Sequence, residues 1–195
     1  MTCVLGLIDK GSVYIGADSA GIAGLSISIR NDPKVFGVAD FIIGFTSSFR
    51  MGQLLRWKFS PPPQTVHQDD YEYMCTTFID SVRECFARNG FGSEHTGGNF
   101  LVGYKSKLYN VQADYQVGIP SAPFDTAGCG ADLALGALYA TEGMNPEDRV
   151  KIALSAAAAF SAGVSAPFNI LKLEPDPPPP SKPKAKAKPV VKKKR

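Results

Sequence analysis

The chain has 195 residues, 44% of them hydrophobic, and a formal net charge of +3, which suits one domain with a substantial core. The charge is uneven: residues 176–195 carry +7 and the remainder −4. No apolar run is long enough to span a bilayer and the N-terminus has no secretory pattern, so the cytoplasm is the expected compartment, with no membrane partner.

The first third reads as short strands. Residues 2–9 and 12–18 form a hairpin pattern around Lys10-Gly11. Leu25 to Ile29 alternates with serines, the signature of a half-buried strand. Pro33 biases Asp32 toward extended backbone, and Val35–Val38 and Phe41–Phe45 read as two more strands. Helical spacing then takes over. Met51, Leu54, Leu55 and Phe59 mark one helix face, stopped by Pro61-Pro62-Pro63. Tyr71, Cys75, Phe78, Ile79, Val82 and Phe86 mark a longer helix, closed by Asn89-Gly90. Gly92 to Gly98 reads as a loop. Phe100–Tyr104 and Leu108–Val111 make a hairpin around Lys105-Ser106-Lys107. After glycines 128 and 130, Leu133–Tyr139 is a small-residue helix. Asn145 caps an alanine-rich helix that starts at Pro146, and Phe168–Leu173 is a last strand. This order suits two stacked sheets with helices outside each.

Few residues carry obvious chemistry. Cys3, Cys75, Cys85 and Cys129 form no CxxC pair and are expected as free thiols, buried except at Cys129. His67 and His95 lie in polar stretches without a partner motif and read as surface residues. Neither a metal nor a cofactor is expected. Thr2 directly follows Met1. If Met1 is removed, the α-amine of Thr2, a base of pKa about 7.7–8, lies within a few bonds of the Thr2 hydroxyl and can take its proton near neutral pH.

With Thr2 taken as the first residue, Asp18 and Lys34 stand where the proteasome β-subunit and HslV family, N-terminal-nucleophile threonine proteases, has an acidic residue and a lysine. Gly16-Ala17-Asp18-Ser19 and Ala127-Gly128-Cys129-Gly130-Ala131 are also similar to that family's pattern. The resemblance runs over about residues 2–173. It implies an α+β, four-layer αββα sandwich over residues 1–174, followed by a Pro/Lys-rich basic tail at 175–195. It further implies a threonine-type peptidase acting on unfolded protein, assembled as a homo-oligomeric ring and served by an ATP-dependent unfoldase. Thr2 is then the nucleophile, with Lys34 beside its hydroxyl and Asp18 holding Lys34. The Ser47 backbone N–H is the oxyanion donor, and Phe45 lines the substrate pocket.

The chain departs from the family pattern at several places. Cys129 stands for a serine that bonds the nucleophile's amine, Ser47 for a glycine, and Ser161 and Val164 align with an Asp and a Ser. These changes keep two alternatives open: a weakened or inactive ring with a structural or nucleic-acid role, and a non-proteolytic amide hydrolase, one version of which uses Cys3. Lysines and arginine from Lys182 to Arg195 can gain affinity for phosphate by counterion release, which makes the tail a candidate nucleic-acid arm. It has no aromatic residue for base stacking.

Overall fold

The structure is a computed structural model that describes residues 1–93 and 96–175. His95 and the tail residues Lys182–Arg195 lie outside these. The β1 (Cys3–Asp9) and β2 (Ser12–Ala17) hairpin forms the middle of a four-stranded antiparallel sheet of order β10-β1-β2-β11. Its outer strands are β10 (Phe124–Gly128) and β11 (Asn169–Leu173). A five-stranded antiparallel sheet stacks on it, formed by β5 (Val35–Val38), β6 (Phe41–Phe45), β7 (Phe100–Tyr104), β8 (Lys107–Val111) and β9 (Val117–Gly118).

Strand β1 shows why the layers form. It is apolar on both faces, as a strand covered on both sides must be. Cys3, Leu5 and Leu7 point to helices α4 (Ala131–Ala140) and α5 (Pro146–Phe160), packing with Ala134, Leu138, Val150 and Leu154. Val4 points the other way, into the layer between the sheets with Ile15, Ile42 and Leu101. Glycine lets the sheets approach. A Cβ on Gly44 would lie 2.5 Å from both Val4 and Ile15. Helix α1 (Phe49–Trp57) and the helical stretch of α2 (Asp70–Tyr73), a π-helical turn (Met74–Phe78) and α3 (Ile79–Arg88) cover the outer face of the five-stranded sheet. The result is the four-layer αββα sandwich expected from the sequence. Among the described residues no helix is long and apolar enough to cross a membrane.

Local details differ from expectation. The 25–29 strand exists as β4 (Ser26–Ile29), but it is exposed along its whole length rather than half-buried. It pairs only with β3 (Ala20–Ala23), so the hairpin stands off the sandwich and nothing in the chain covers Leu25 or Ile27. The long helix buries Tyr73 and Met74 rather than Tyr71 and Cys75, because the wider π turn rotates the face that meets the sheet. Strand β10 was not legible in the sequence. Cys75 and Cys85 are half-buried rather than buried, Cys3 is buried and Cys129 exposed, and His67 is exposed.

Candidate active site

Strand pairing brings the ends of distant segments together. Val4 sits opposite Ala17, so Thr2, just before β1, and Asp18, just after β2, come to the same edge of the sheet. Cys3 sits opposite Gly128, which delivers the glycine turn there as well. Gly128 has φ 104°, and a Cβ on it would strike the Thr2 carbonyl, so glycine is required on both counts. Lys34 comes from the other sheet. It precedes β5, its carbonyl accepts from Phe45 N–H at 3.0 Å, and its side chain reaches across the sandwich.

The side chains converge tightly. Lys34 Nζ donates to Thr2 Oγ1 at 2.8 Å and to Asp18 Oδ1 at 2.7 Å, with Lys34 and Asp18 both fully buried. Asp18 also accepts from the N–H groups of Cys3 (3.0 Å), Ala20 (2.9 Å) and Ser165 (3.3 Å), so its two oxygens are saturated with donors. Burial pulls the Lys34 ammonium below its usual 10.5, against the opposing hydrogen bond and charge of Asp18. The ammonium therefore sits on the Thr2 oxygen, able to favour an alkoxide there.

Met1 is present, so the Thr2 nitrogen is a peptide N–H standing in for the α-amine of a trimmed chain. It donates to Cys129 Sγ at 3.3 Å, and Thr2 Oγ1 donates to the Met1 carbonyl at 2.5 Å. Cys129 Sγ is 3.4 Å from the Thr2 carbonyl oxygen and receives the Ser161 hydroxyl at 3.5 Å. Ser161 thus reaches the cluster through Cys129. Val164 is buried against Gly130 in the core beneath α4 and α5. Ser165, its neighbour, is the residue that sequence reasoning missed, and its backbone N–H completes the Asp18 shell.

Beside Thr2 lies a cleft of roughly 60 Å³, lined by Met1, Ile22, Phe45, Thr46, Ser47 and Phe49 among others. Phe45 is both wall and core: its ring packs edge-on to Phe49 and against Phe36, and it is 4% exposed. Thr46 and Ser48 N–H groups have backbone acceptors, while Ser47 N–H has none among the described residues. A much larger cavity, about 420 Å³, lies between α3 and Gly90–Ser93 and includes no member of the Thr2 cluster. We place the chemistry at the smaller cleft because the nucleophile candidate and the buried ion pair meet there. Cys3 is a poor nucleophile: burial, then the Asp18 charge, pushes its thiol up to about 12. Among the described residues no group of three His, Cys, Asp or Glu side chains could hold a metal ion.

The layer order and strand polarity define an α+β fold of the N-terminal-nucleophile hydrolase type, specifically the proteasome β/HslV-like form. The chain is similar to Thiobacillus denitrificans BPH in complex with epoxomicin, with TM-score 0.74 and 20% identity over 90% of this chain and 100% of that one. A second structure of that protein gives TM-score 0.74 and 21% identity over 89% and 100%. Eukaryotic HslV from Trypanosoma brucei gives TM-score 0.64 and 16% identity over 88% and 99%. No protein-family model and no curated protein sequence matches the chain.

Proposed function

We propose that this chain is a threonine endopeptidase, with Thr2 as an N-terminal nucleophile exposed by removal of Met1. The observation that carries the reading is the Lys34 ammonium 2.8 Å from Thr2 Oγ1 and 2.7 Å from Asp18, sealed from solvent. Hydrolysis of the Met1–Thr2 bond frees the α-amine, which takes the Thr2 hydroxyl proton as Oγ1 attacks a substrate carbonyl. Lys34 stabilises the developing alkoxide, and the unpaired Ser47 N–H accepts the charge of the tetrahedral oxygen. The C–N bond breaks, the proton passes from the α-ammonium to the leaving amine, and water hydrolyses the resulting ester to regenerate Thr2. Asp18 holds Lys34 in place, and Cys129 bonds the α-amine where the family pattern has serine. Phe45 and Phe49 bound the substrate side chain.

An epoxyketone tests this directly, because it needs both the hydroxyl and the amine of an N-terminal Thr. Such a compound, epoxomicin, is bound in one of the similar structures. The expected result is a Met1-free intact mass, an epoxomicin adduct on Thr2, and peptide hydrolysis lost in Thr2→Ala. Hydrolysis that persists in Thr2→Ala would assign the activity elsewhere.

The proposal extends to assembly as a homo-oligomeric ring that receives unfolded chains from an ATP-dependent unfoldase. It also extends to the tail. Strand β11 starts opposite Ala17, beside the cleft, and ends opposite Val13, so the chain leaves at the end away from Thr2, with Pro175 against Gly11. Lys182–Arg195 is thereby offered to a polyanion outside the cleft, and nucleic acid is the proposed partner. Salt-sensitive DNA binding by the full chain, lost on truncation after Glu174, is the expected result.

A further inference from the structure

Ser47 has φ 71°, in the left-handed region that favours glycine. Its side chain is engaged: Ser47 Oγ accepts the Asn99 N–H at 3.2 Å. One residue earlier, Thr46 N–H donates to the Asn99 carbonyl at 3.0 Å. Asn99, just before β7, therefore grips the 46–47 turn with both of its backbone groups. From the other side, Ser48 N–H donates to the Thr46 carbonyl at 2.9 Å, while Ser48 Oγ accepts from Arg50 and Met51 N–H and starts α1. Space beneath the turn is closed as well. A Cβ on Gly98 would lie 2.5 Å from Met51 Sδ and 3.4 Å from Ser47 Cβ. Every backbone donor of residues 46–48 is thus committed except the Ser47 N–H, which lines the cleft with Thr2.

We infer that the Ser47 hydroxyl is a positioning group: by accepting the Asn99 N–H it holds its own residue in the left-handed conformation and keeps the Ser47 N–H aimed into the cleft. The inference rests on the peptidase reading, in which that N–H faces the tetrahedral oxygen. Glycine reaches this conformation unaided. Serine reaches it at a steric cost that the hydroxyl offsets, and alanine would bear the cost with no compensation.

The test compares Ser47→Ala and Ser47→Gly in the full-length, Met1-free protein. For Ser47→Ala, kcat on a fluorogenic peptide falls about tenfold while KM stays within about twofold, since the donor is displaced rather than removed. Ser47→Gly recovers kcat to within about threefold. A Ser47→Ala enzyme with unchanged kcat, or a glycine variant as impaired as the alanine one, overturns the inference. Amide hydrogen exchange at Thr46 and Asn99 supplies an arm that needs no turnover. It should quicken in Ser47→Ala, and unchanged exchange overturns the positioning role. Absence of peptide hydrolysis in the wild type, or its survival in Thr2→Ala, sinks the peptidase reading instead.

Discussion

Because Lys34 and Asp18 are both wholly buried, removing one strands the charge of the other. Lys34→Met should lower stability by about 3–5 kcal/mol in denaturant titration. It should also cut turnover by about 10²–10³, the scale of a lost charge-stabilising donor. An Asp18→Asn/Lys34→Met double variant should recover much of the stability and none of the activity. The pH behaviour follows from the lowered pKa of Lys34. Between that lowered value and 10.5 the folded state binds fewer protons at Lys34 than the unfolded chain, so this residue's contribution to stability rises with pH across the window. Catalysis runs the other way. Deprotonation removes the cation beside the nascent alkoxide, so kcat should decline on the alkaline side before pH 10.5. A pH–rate profile with its alkaline limb at or above 10.5 would contradict the assigned role. Thr2, Asp18 and Lys34 were legible because their spacing along the chain survives as a pattern. Ser165 was not: it reaches Asp18 from 147 residues away through a backbone N–H, which carries no residue-type signal.

At the level of elements, the inter-sheet glycines set how closely the two sheets sit. Gly44→Ala forces a Cβ against Val4 and Ile15 and should cost about 1–3 kcal/mol, measurable as a shift of the denaturation midpoint with little change in its slope. The hairpin of β1 and β2, the β7–β8 hairpin and the Asn145 cap were readable, since each follows from local turn or capping chemistry. Asn145 Oδ1 accepts from Glu147 and Asp148 N–H, as its position before Pro146 implies. Strand β10 was hidden because Phe-Asp-Thr-Ala-Gly lacks a two-residue apolar rhythm, and only its pairing with β1 makes it a strand. The π turn was hidden for a related reason. Tyr73 to Phe78 and Met74 to Ile79 are five residues apart on the buried face, a spacing that neither helical template contains. The side on which β4 would be buried could not be read either, since alternation says which residues share a face and not whether anything covers it.

At the scale of the whole molecule, the helical layer of α4 and α5 exposes Leu135, Tyr139, Ile152 and Phe160, with Tyr139 74% and Phe160 81% accessible. Large exposed apolar side chains on an outer layer mark an association surface. Tyr139→Glu and Phe160→Glu are expected to shift the protein from its assembled form toward monomer in sedimentation velocity, without lowering the melting temperature of the monomer. An equally assembled double variant would place the contact elsewhere. The polarity of the sandwich has a practical corollary. The chain starts inside the cleft and leaves from the opposite pole, so the two termini are not interchangeable as attachment points. An affinity handle appended at the carboxyl end hangs clear of the nucleophile, whereas the same handle placed ahead of Thr2 acts as a stopper until it is clipped away.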